Sequence, residues 1–442
     1  MRMRRLLAVP AVAILFLAAC GDDDDEGAEP DTGEAAEDGA GEDLTGTVNV
    51  LNAMEPEEAD FIQGVVDDLI GSEVGYEMEI EDSSGFAEDF QIRAESGTLD
   101  VALLPQPGAV ADAVDQGAVS LEDMGFDIAE LEERFGEYLM SLVEVDGQHY
   151  GMPSNVNLKS MVWYPVDDFE AAGYEVPETF DDLIALSDQI VEDGSTPWCV
   201  GYESGGDTGW PATDWMEDIM LRTAGPDVYD QWVTHEIPFN DPAVLTAAET
   251  FGQVMFGDDY VLGGADQTPS IPFGDAPAPM FQDPPGCWLH RQASFITAQS
   301  GFEGTEAGTD YDWFPFPPID QEGTLIAGEF MVTFRNDPEV VDFIERFSGE
   351  EVQCAQAGNV AGSRLSPNLE VGPDCYADEI LAGSSEVTNT ALADGTARFD
   401  ASDLMPPQVG SGAFWSEMMS YMQAGPDGAT TALDNIEAAW PE

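Results

Sequence analysis

The sequence predicts an α/β fold, and its first third carries the observations behind that prediction. Segments 47–53 and 76–82 alternate apolar and polar residues as half-buried strands do, and 99–105 is a nearly unbroken apolar run. Helical patterns separate these segments. Because strands that alternate with helices form βαβ units, we expect a parallel sheet in this part of the chain.

A helical segment follows each of the three predicted strands, at 55–70, 86–97 and 109–117. The first begins with acidic residues, which the helix dipole favours, and Gly97 is a typical end for the second. In open α/β sheets the ligand crevice lies beyond the carboxyl ends of the strands. Asp82 and Ser83 after the second strand, and Gln106 after the third, are therefore candidate crevice residues.

The rest of the chain lacks this regular alternation of strands and helices. Residues 150–165 read as extended chain, and 195–320 as a loop-rich region with many tryptophans. Thr179 and Gly194 mark the start and stop of an amphipathic helix. Further helices are predicted at 338–349, 407–425 and 429–442, the first of them capped by Asp337.

The charge balance excludes whole classes of partner. The 442 residues include 12 basic and 89 acidic ones, a formal net charge of −77. Nucleic-acid binding needs cations, and anionic lipids and substrates would be repelled. With 43% hydrophobic residues the chain is globular with an acidic surface. Such self-repulsion is tolerable where salt screens it, so we predict a saline extracellular habitat.

The N-terminus carries a targeting signal. Three arginines among the first five residues precede an apolar stretch, 6–18, that is too short to span a membrane. "LAAC", ending at Cys20, resembles the lipobox of bacterial lipoproteins. The resemblance implies a signal peptide at 1–19, a lipid on Cys20, and a place on the extracellular face of the cytoplasmic membrane. An ordinary secretory signal cut nearby is the alternative. Residues 20–46 are acidic and predict a disordered tether.

No catalytic motif is found, so we predict no catalytic residue, no cofactor and no metal site. The sequence lacks a G-x-S-x-G elbow, an H-E-x-x-H pair and a G-x-G-x-x-G loop. The single lysine, Lys159, has no glycine-rich loop before it, and the three histidines are isolated. Residues 308–313, "GTDYDW", offer oxygens for calcium, but their spacing matches no standard loop and favours a solvated turn.

Four cysteines remain once Cys20 is assigned to lipid, and an even number outside the cell predicts two disulfides. Four cysteines allow three pairings. We favour Cys354–Cys375, which closes a short local loop, and this pairing leaves Cys199 for Cys287.

Three segments, at 157–225, 273–296 and 398–415, carry a resemblance that covers nearly all of 47–442. They resemble the extracellular solute-binding proteins of carbohydrate ABC importers, and most of all the branch linked to α-glucoside uptake. The resemblance implies a two-lobed periplasmic-binding-protein type II fold with a ligand cleft and a hinge that the chain crosses several times. It also implies a monomeric binder rather than an enzyme, with ABC permease subunits as partners. The implied lobes are 47–157 plus 329–372 (N-terminal) and 158–328 plus 373–442 (C-terminal).

The same resemblance implies ligand-binding residues. Family members that bind maltose stack sugar rings on aromatic residues in segments that correspond to those around Trp210, Trp288 and Trp415. Gln106 lies on the loop after the third strand that contacts sugar hydroxyls. Tyr164 lies where the family usually reads "W-Y-N", here with proline in place of asparagine, and Glu329 stands where an aspartate is expected.

Elementary chemistry supports a sugar site independently. A pyranose has an apolar face, which a tryptophan covers well, and a rim of hydroxyls, which planar polar groups bind. Asp214, Asp403 and Arg291 are candidate rim partners, with Arg291 bound either to a sugar hydroxyl or to a carboxylate such as Asp214. Trp163 and Trp215 lie within apolar runs and are expected in the core.

Two other functions stay open at this stage. An aromatic cage among carboxylates also suits a quaternary ammonium osmolyte such as betaine, through cation–π attraction. An extracellular glycan-active enzyme is the third possibility, since carboxylate pairs can hydrolyse glycosides.

Overall fold

The computed structural model describes residues 44–54, 56–83, 85–359 and 363–441. The predicted signal peptide, Cys20 and nearly all of the predicted tether lie outside these residues. In the described part of the chain, no helix combines the length and the apolar character that crossing a bilayer requires.

The strands of the described residues form a larger sheet, a smaller sheet and a short hairpin. They are β1 (Gly46–Asn52), β2 (Tyr76–Asp82), β3 (Val101–Leu104), β4 (Glu144–Val145), β5 (Gln148–His149), β6 (Met152–Leu158), β7 (Met161–Pro165), β8 (His290–Arg291), β9 (Tyr311–Pro315), β10 (Thr324–Thr333) and β11 (Ala397–Phe399).

Sixteen α-helices are found in the same described ranges, joined by short 3₁₀ and π turns. They are α1 (Pro56–Val66), α2 (Phe86–Ser96), α3 (Val110–Asp115), α4 (Ile128–Phe135), α5 (Glu137–Ser141), α6 (Val166–Ala172), α7 (Phe180–Glu192), α8 (Trp210–Ala224), α9 (Pro226–Val233), α10 (Pro242–Met255), α11 (Pro338–Phe347), α12 (Glu350–Ala357), α13 (Glu379–Asp394), α14 (Ala401–Leu404), α15 (Trp415–Ala424) and α16 (Ala429–Glu437).

The larger sheet confirms the predicted parallel βαβ arrangement. Strand β1 pairs in parallel with both β2 and β3, and all four residues of β3 are buried, as its apolar sequence indicates. Strand β10 extends the sheet, antiparallel to β3 and β6 and parallel to β11. The predicted extended chain at 150–165 is also confirmed, because it supplies β6 to this sheet and β7 to the smaller one.

The smaller sheet has β7 at its centre, antiparallel to β8 and β9. Trp163 on β7 is fully buried, donates from Nε1 to the carbonyl oxygen of Gln292 at 2.8 Å, and meets the rings of Phe302 and Tyr311 edge-on. Trp215 is also buried, against Trp198. Both tryptophans therefore lie in the core, as predicted.

The expectation of a loop-rich region at 195–320 is wrong in part, because α8, α9 and α10 lie there. Helix α8 escaped the sequence patterns because it is not amphipathic: it buries the continuous run 211–222. That run includes Asp214 and Asp218, which pair with Lys159 and Arg291 inside the protein, and Glu217, which accepts from the backbone nitrogen of Ala401. Acidic residues at every turn of a buried helix hide its periodicity from inspection of the sequence.

Several local predictions are confirmed. Both disulfides form as favoured, Cys199–Cys287 and Cys354–Cys375. Thr179 caps α7 by accepting from the backbone nitrogen of Asp182, and Gly97 follows α2 with φ +66°. Asp337 stands at the N-cap of α11, but its carboxylate binds Arg335 instead of the helix backbone.

The chain passes between the two sheets at segments that lie side by side. Residues 159–160 connect β6 to β7, and 316–323 connect β9 to β10. The backbone nitrogen of Lys159 donates to Leu325 at 2.9 Å, and that of Phe316 donates to Ser160 at 2.9 Å. The backbone nitrogen of Asp400, where the chain leaves β11 for α14, donates to Ile326 at 2.8 Å. These hydrogen bonds hold the three segments side by side at the start of β10.

Candidate ligand-binding site

A cavity of about 260 Å³ lies beside these crossing segments. Its lining combines large aromatic rings with side-chain amides, carboxylates and two cations. The lining includes Gln106, Asn155, Asn157, Lys159, Asp207, Trp210, Phe273, Phe295, Glu329, Arg364, Asp400, Asp403 and Trp415. Clefts that mix apolar walls with a few convergent polar groups are typical of small-molecule sites.

The aromatic part of the wall is built around Trp210, the first residue of α8. Its ring lies 4.9 Å from that of Phe273 and 5.9 Å from that of Phe295, and its Nε1 donates to Ser204 at 3.1 Å. Trp415, the first residue of α15, donates from Nε1 to Ser402 at 3.1 Å. With their polar edges satisfied by the protein, the two indoles can present apolar faces to a ligand.

The main chain at the start of α8 packs closely against that at the start of α15, and the contact is made at Gly209, the residue before Trp210. The φ of Gly209 is +122°, and a Cβ added there would lie 2.4 Å from the carbonyl oxygen of Trp415. Such a distance is far inside van der Waals contact, so only glycine allows the start of α8 to approach the start of α15 this closely.

Strand β6 contributes a polar row. Asn155, Asn157 and Lys159 share one face of the chain, because side chains on a strand alternate, and all three line the cavity. Val156 and Leu158 face the hydrophobic core instead. The Oδ1 atom of Asn155 is buried without a hydrogen-bond partner among the described residues. Because a buried acceptor normally has a partner, this oxygen is suited to a ligand hydroxyl.

Lys159 sits at the centre of a buried charge cluster. Its Nζ donates to Asp214 Oδ1 at 2.7 Å and to Asp400 Oδ2 at 2.5 Å. Burial alone would lower the pKa of Lys159, but the two carboxylates raise it, so the ammonium stays charged. The same attraction overcomes burial at Asp400 and holds its pKa below the usual value.

Asp403 brings a different kind of carboxyl to the cavity. Its backbone nitrogen donates to Asp400 Oδ1 at 3.0 Å, which places it beside an ionised neighbour. Burial raises the pKa of Asp403 well above the aspartate range, and repulsion from Asp400 adds to the effect. This shift favours the protonated carboxyl, whose O–H can donate a hydrogen bond to a ligand oxygen.

A second buried cation, Arg364, forms part of another wall of the cavity. Its guanidinium donates to Glu58 at 2.7 Å and to Glu329 at 2.9 Å, and its side chain is only 3% exposed. The single positive charge of Arg364 is shared between two carboxylates, so this wall offers hydrogen-bonding groups that are held in place by a paired cation.

Three buried carboxylates, Asp214, Glu217 and Asp400, approach one another within 4.8 Å, a spacing that could hold a metal ion. Lys159 already supplies positive charge to two of them. Glu217 accepts from the backbone nitrogens of Ala401 and Ser402 at 3.0 and 3.2 Å. The protein's own groups therefore provide the stabilisation that a metal would bring.

The structure gathers five of the predicted ligand-binding residues around the cavity: Gln106, Trp210, Glu329, Asp403 and Trp415. They come from widely separated parts of the chain, and Gln106 follows β3 as the crevice rule predicts. Their direct role in binding stays a prediction.

The other four predicted residues do not line this cavity. Asp214 lies one layer deeper, behind Lys159. Arg291 binds Asp218 at 3.0 Å and lies 3.6 Å from Asp214, the second of its two predicted alternatives.

Tyr164 and Trp288 both pack within the protein. Tyr164 lies against Phe169, with ring centres 4.7 Å apart. Trp288 meets Tyr174 edge-on at 4.9 Å, and its Nε1 donates to Ser195 at 2.8 Å.

Sequence reasoning missed several residues of the wall. The absence of a glycine-rich loop before Lys159 excludes a phosphate-binding lysine but assigns this residue no other role. A lone lysine in so acidic a chain is nevertheless a signal that the residue has a specific function. The alternation of Asn155, Asn157 and Lys159 was a second available signal. Arg364 and Phe273 carry no local pattern that would single them out.

Comparisons with known proteins identify the family of this chain. A family model described as bacterial extracellular solute-binding protein matches residues 55–353. The osmoprotective compounds-binding protein GgtB of Synechocystis sp. is 38% identical over 399 residues, which cover 89% of this chain and 92% of that protein. The alpha-glucosides-binding periplasmic protein AglE of Rhizobium meliloti is 37% identical over 418 residues, covering 90% and 88% respectively.

Solved structures agree on the architecture. The bacterial solute receptor AcbH, described as having a preference for β-D-galactopyranose, matches with a TM-score of 0.73 at 18% identity, over 89% of this chain and 98% of that one. At this identity the likeness concerns the fold alone, and it supports the predicted two-lobed α/β fold. The predicted lobe boundaries stay a prediction. By the extent of the family match and the identity of both relatives, this chain belongs to the family of bacterial extracellular solute-binding proteins.

Proposed function

We propose that this protein is the binding component of an ABC importer and that it captures a neutral glycoside, of the α-glucoside class, in the cavity between Trp210 and Trp415. The observation that carries the proposal is the pairing of indole faces with a dense polar rim. The names of the two relatives, which refer to alpha-glucosides and to osmoprotective compounds, support this class of ligand.

The polar rim suits a polyhydroxylated molecule. Each sugar hydroxyl both donates and accepts, and the cavity offers both kinds of partner. Lys159 and a protonated Asp403 donate, whereas the unpartnered Oδ1 of Asn155 accepts. Stacking on indole accounts for the apolar faces of the rings.

The contact between Lys159 and Trp210 favours a neutral ligand over a quaternary ammonium. Lys159 Nζ lies 5.2 Å from the centre of the Trp210 ring, so this ring already takes part in a cation–π contact. A quaternary ammonium would have to compete with Lys159 for this ring, whereas a sugar ring does not depend on a cation–π contact. Betaine is therefore the second candidate, kept because carboxylates also line the cavity and one relative is named for osmoprotectants.

The setting of the protein follows from the family and from the N-terminal sequence. We propose that a lipid on Cys20 anchors it to the outer face of the cytoplasmic membrane and that residues 20–46 form the tether. A monomer would then deliver its ligand to the permease without catalysing any reaction.

Calorimetric titration with maltose, trehalose, a small α-glucoside and betaine tests the proposal. We expect heat of binding from at least one neutral glycoside and none from betaine, with no product formed on prolonged incubation. Asp403→Ala should weaken that binding because it removes the carboxyl from the cavity wall, whereas Asp427→Ala, at an exposed turn, should not. Binding of betaine alone would reverse the choice of ligand class, and turnover of a glycoside would overturn the assignment as a binder.

A further inference from the structure

Lys159 occupies a singular place in the chain. It is the single lysine of the sequence, and it follows directly after β6 in the two-residue passage to β7. Its backbone is fixed there by the hydrogen bond to Leu325, the second residue of β10, directly after the neighbouring passage. Its side chain, however, reaches the cavity wall. One residue thus belongs both to the crossing segments and to the candidate binding site.

The ammonium connects the two elements that carry other cavity residues. Asp214 belongs to α8, one turn after Trp210, and Asp400 directly precedes α14, which carries Asp403. The side chains of Lys159, Asp214 and Asp400 are 5%, 0% and 2% exposed, so water screens their attraction very little. The positions of Trp210 and Asp403 are therefore tied to each other through Lys159.

The geometry leaves part of the ammonium for a ligand. An ammonium group carries three N–H donors, and the described hydrogen bonds of Lys159 use two of them, for the two carboxylates. Because Lys159 also lines the cavity beside Trp210, the remaining donor has the cavity within reach.

We propose that Lys159 is a specificity-determining residue, which donates this third hydrogen bond to one hydroxyl oxygen of the bound glycoside while its other two bonds hold Trp210 and Asp403 in position. The inference rests on the proposed function, since it requires a ligand with hydroxyl oxygens. It adds that one hydroxyl position of the ligand is read by a buried cation.

The single lysine makes a direct measurement available in the unmodified protein. Protein grown on lysine labelled at Cε and Nζ gives one side-chain cross-peak by NMR. We expect this peak to move when the glycoside saturates the protein, and to move less with the deoxy analogue that lacks the contacted hydroxyl. A peak that stays in place at saturating glycoside would overturn the proposal.

A double-mutant cycle, in which a protein variant is combined with a deoxy analogue of the ligand, measures the same contact. The variant Lys159→Met/Asp214→Asn removes the ammonium together with one of its carboxylates, which avoids leaving both charges buried without a partner. In the wild type, loss of the contacted hydroxyl should weaken binding by roughly 10- to 150-fold, the range for hydrogen bonds to charged groups. In the double variant the same deoxy analogue and its parent should bind almost equally.

Arg398→Met provides the control, because it removes another paired cation, bound to Asp230, that does not line the cavity. It should keep the wild-type discrimination. If the double variant also keeps it at every hydroxyl position, Lys159 does not contact the ligand and the inference is wrong. If the wild type binds no glycoside at all, the proposed function fails, and the inference fails with it. If the double variant does not fold, the NMR titration of the wild type decides.

Discussion

Replacing Trp210 and Trp215 by alanine, one at a time, separates ligand binding from core packing within one helix. The two residues lie five positions apart at the start of α8, yet their surroundings differ. Trp215 is 1% exposed and is enclosed by the rings of Trp198, Phe251 and Phe316. Trp210 is only partly buried and lines the cavity.

The expected magnitudes follow from these contacts. Removing the indole of Trp215 leaves a void that its neighbours cannot fill, at a cost of about 3–5 kcal/mol in the free energy of unfolding. Trp210→Ala loses two ring contacts, with Phe273 and Phe295, worth together about 1–3 kcal/mol, and a cation–π contact worth about 0.5–1 kcal/mol more. Loss of its stacking face should in addition weaken glycoside binding by roughly 5- to 150-fold.

Two assays on the same samples give the answer. Denaturant unfolding of the ligand-free proteins measures stability, and calorimetry measures the dissociation constant for the glycoside. We expect Trp215→Ala to lose more stability and Trp210→Ala to lose more affinity. Unchanged affinity in Trp210→Ala would refute its role as a sugar platform, and a reversed pattern would show that the two roles were assigned backwards.

Four further predictions concern stability and motion. His290 is buried, and burial is the main reason that its pKa is lowered to about 4. Because the unfolded chain takes up the proton first, about 3 kcal/mol of stability should be lost as the pH falls from 6.5 towards 4. Denaturation at several pH values should show this loss, and a pH dependence of stability that is unchanged in His290→Gln would contradict it. Replacing Cys199 and Cys287 by serine opens a disulfide that spans 88 residues, and it should lower the free energy of unfolding by about 4.6 kcal/mol. The same change at Cys354 and Cys375, which span 21 residues, should cost about 3.3 kcal/mol. If the second variant had the lower unfolding midpoint, the chain-entropy argument would be wrong. If the acidic surface is an adaptation to salt, the melting temperature should rise between low salt and about 1 M NaCl, and equally in KCl, as screening removes repulsion; a flat curve would argue otherwise. The radius of gyration measured by X-ray scattering should decrease when ligand saturates the protein, as the lobes close, whereas an identical profile would exclude closure.

The alternation of strands and helices from β1 to α3 could be predicted from the sequence because its signals are local. Strand β2 has a strict alternation, and α7 has both a cap and an amphipathic face. Helix α8 has neither, since its buried acids are balanced by Lys159, Arg222 and Arg291 from other positions. No pattern within α8 reports on partners that are distant along the chain.

In the candidate site, too, some residues could be predicted from the sequence and others could not. Trp210 and Trp415 could be predicted because a tryptophan beside a helix start in a known motif is informative by itself. Tyr164 and Trp288 could not be told apart from them, since whether an aromatic ring faces a cavity or a core depends on what covers it. On β7, the ring of Trp163 and that of Tyr164 are both covered by other aromatic residues.

The contact between Gly209 and the backbone of Trp415 bears on how tightly a ligand can be held. Because the main chain at Gly209 packs directly against the main chain of Trp415, the starts of α8 and α15 are already in place when a ligand arrives. The site is in this respect pre-organised, and less of the interaction energy is lost to conformational entropy on binding. A methyl group at position 209 would push these two helix starts apart, so affinity for a ligand that contacts both tryptophans depends on a residue outside the cavity lining.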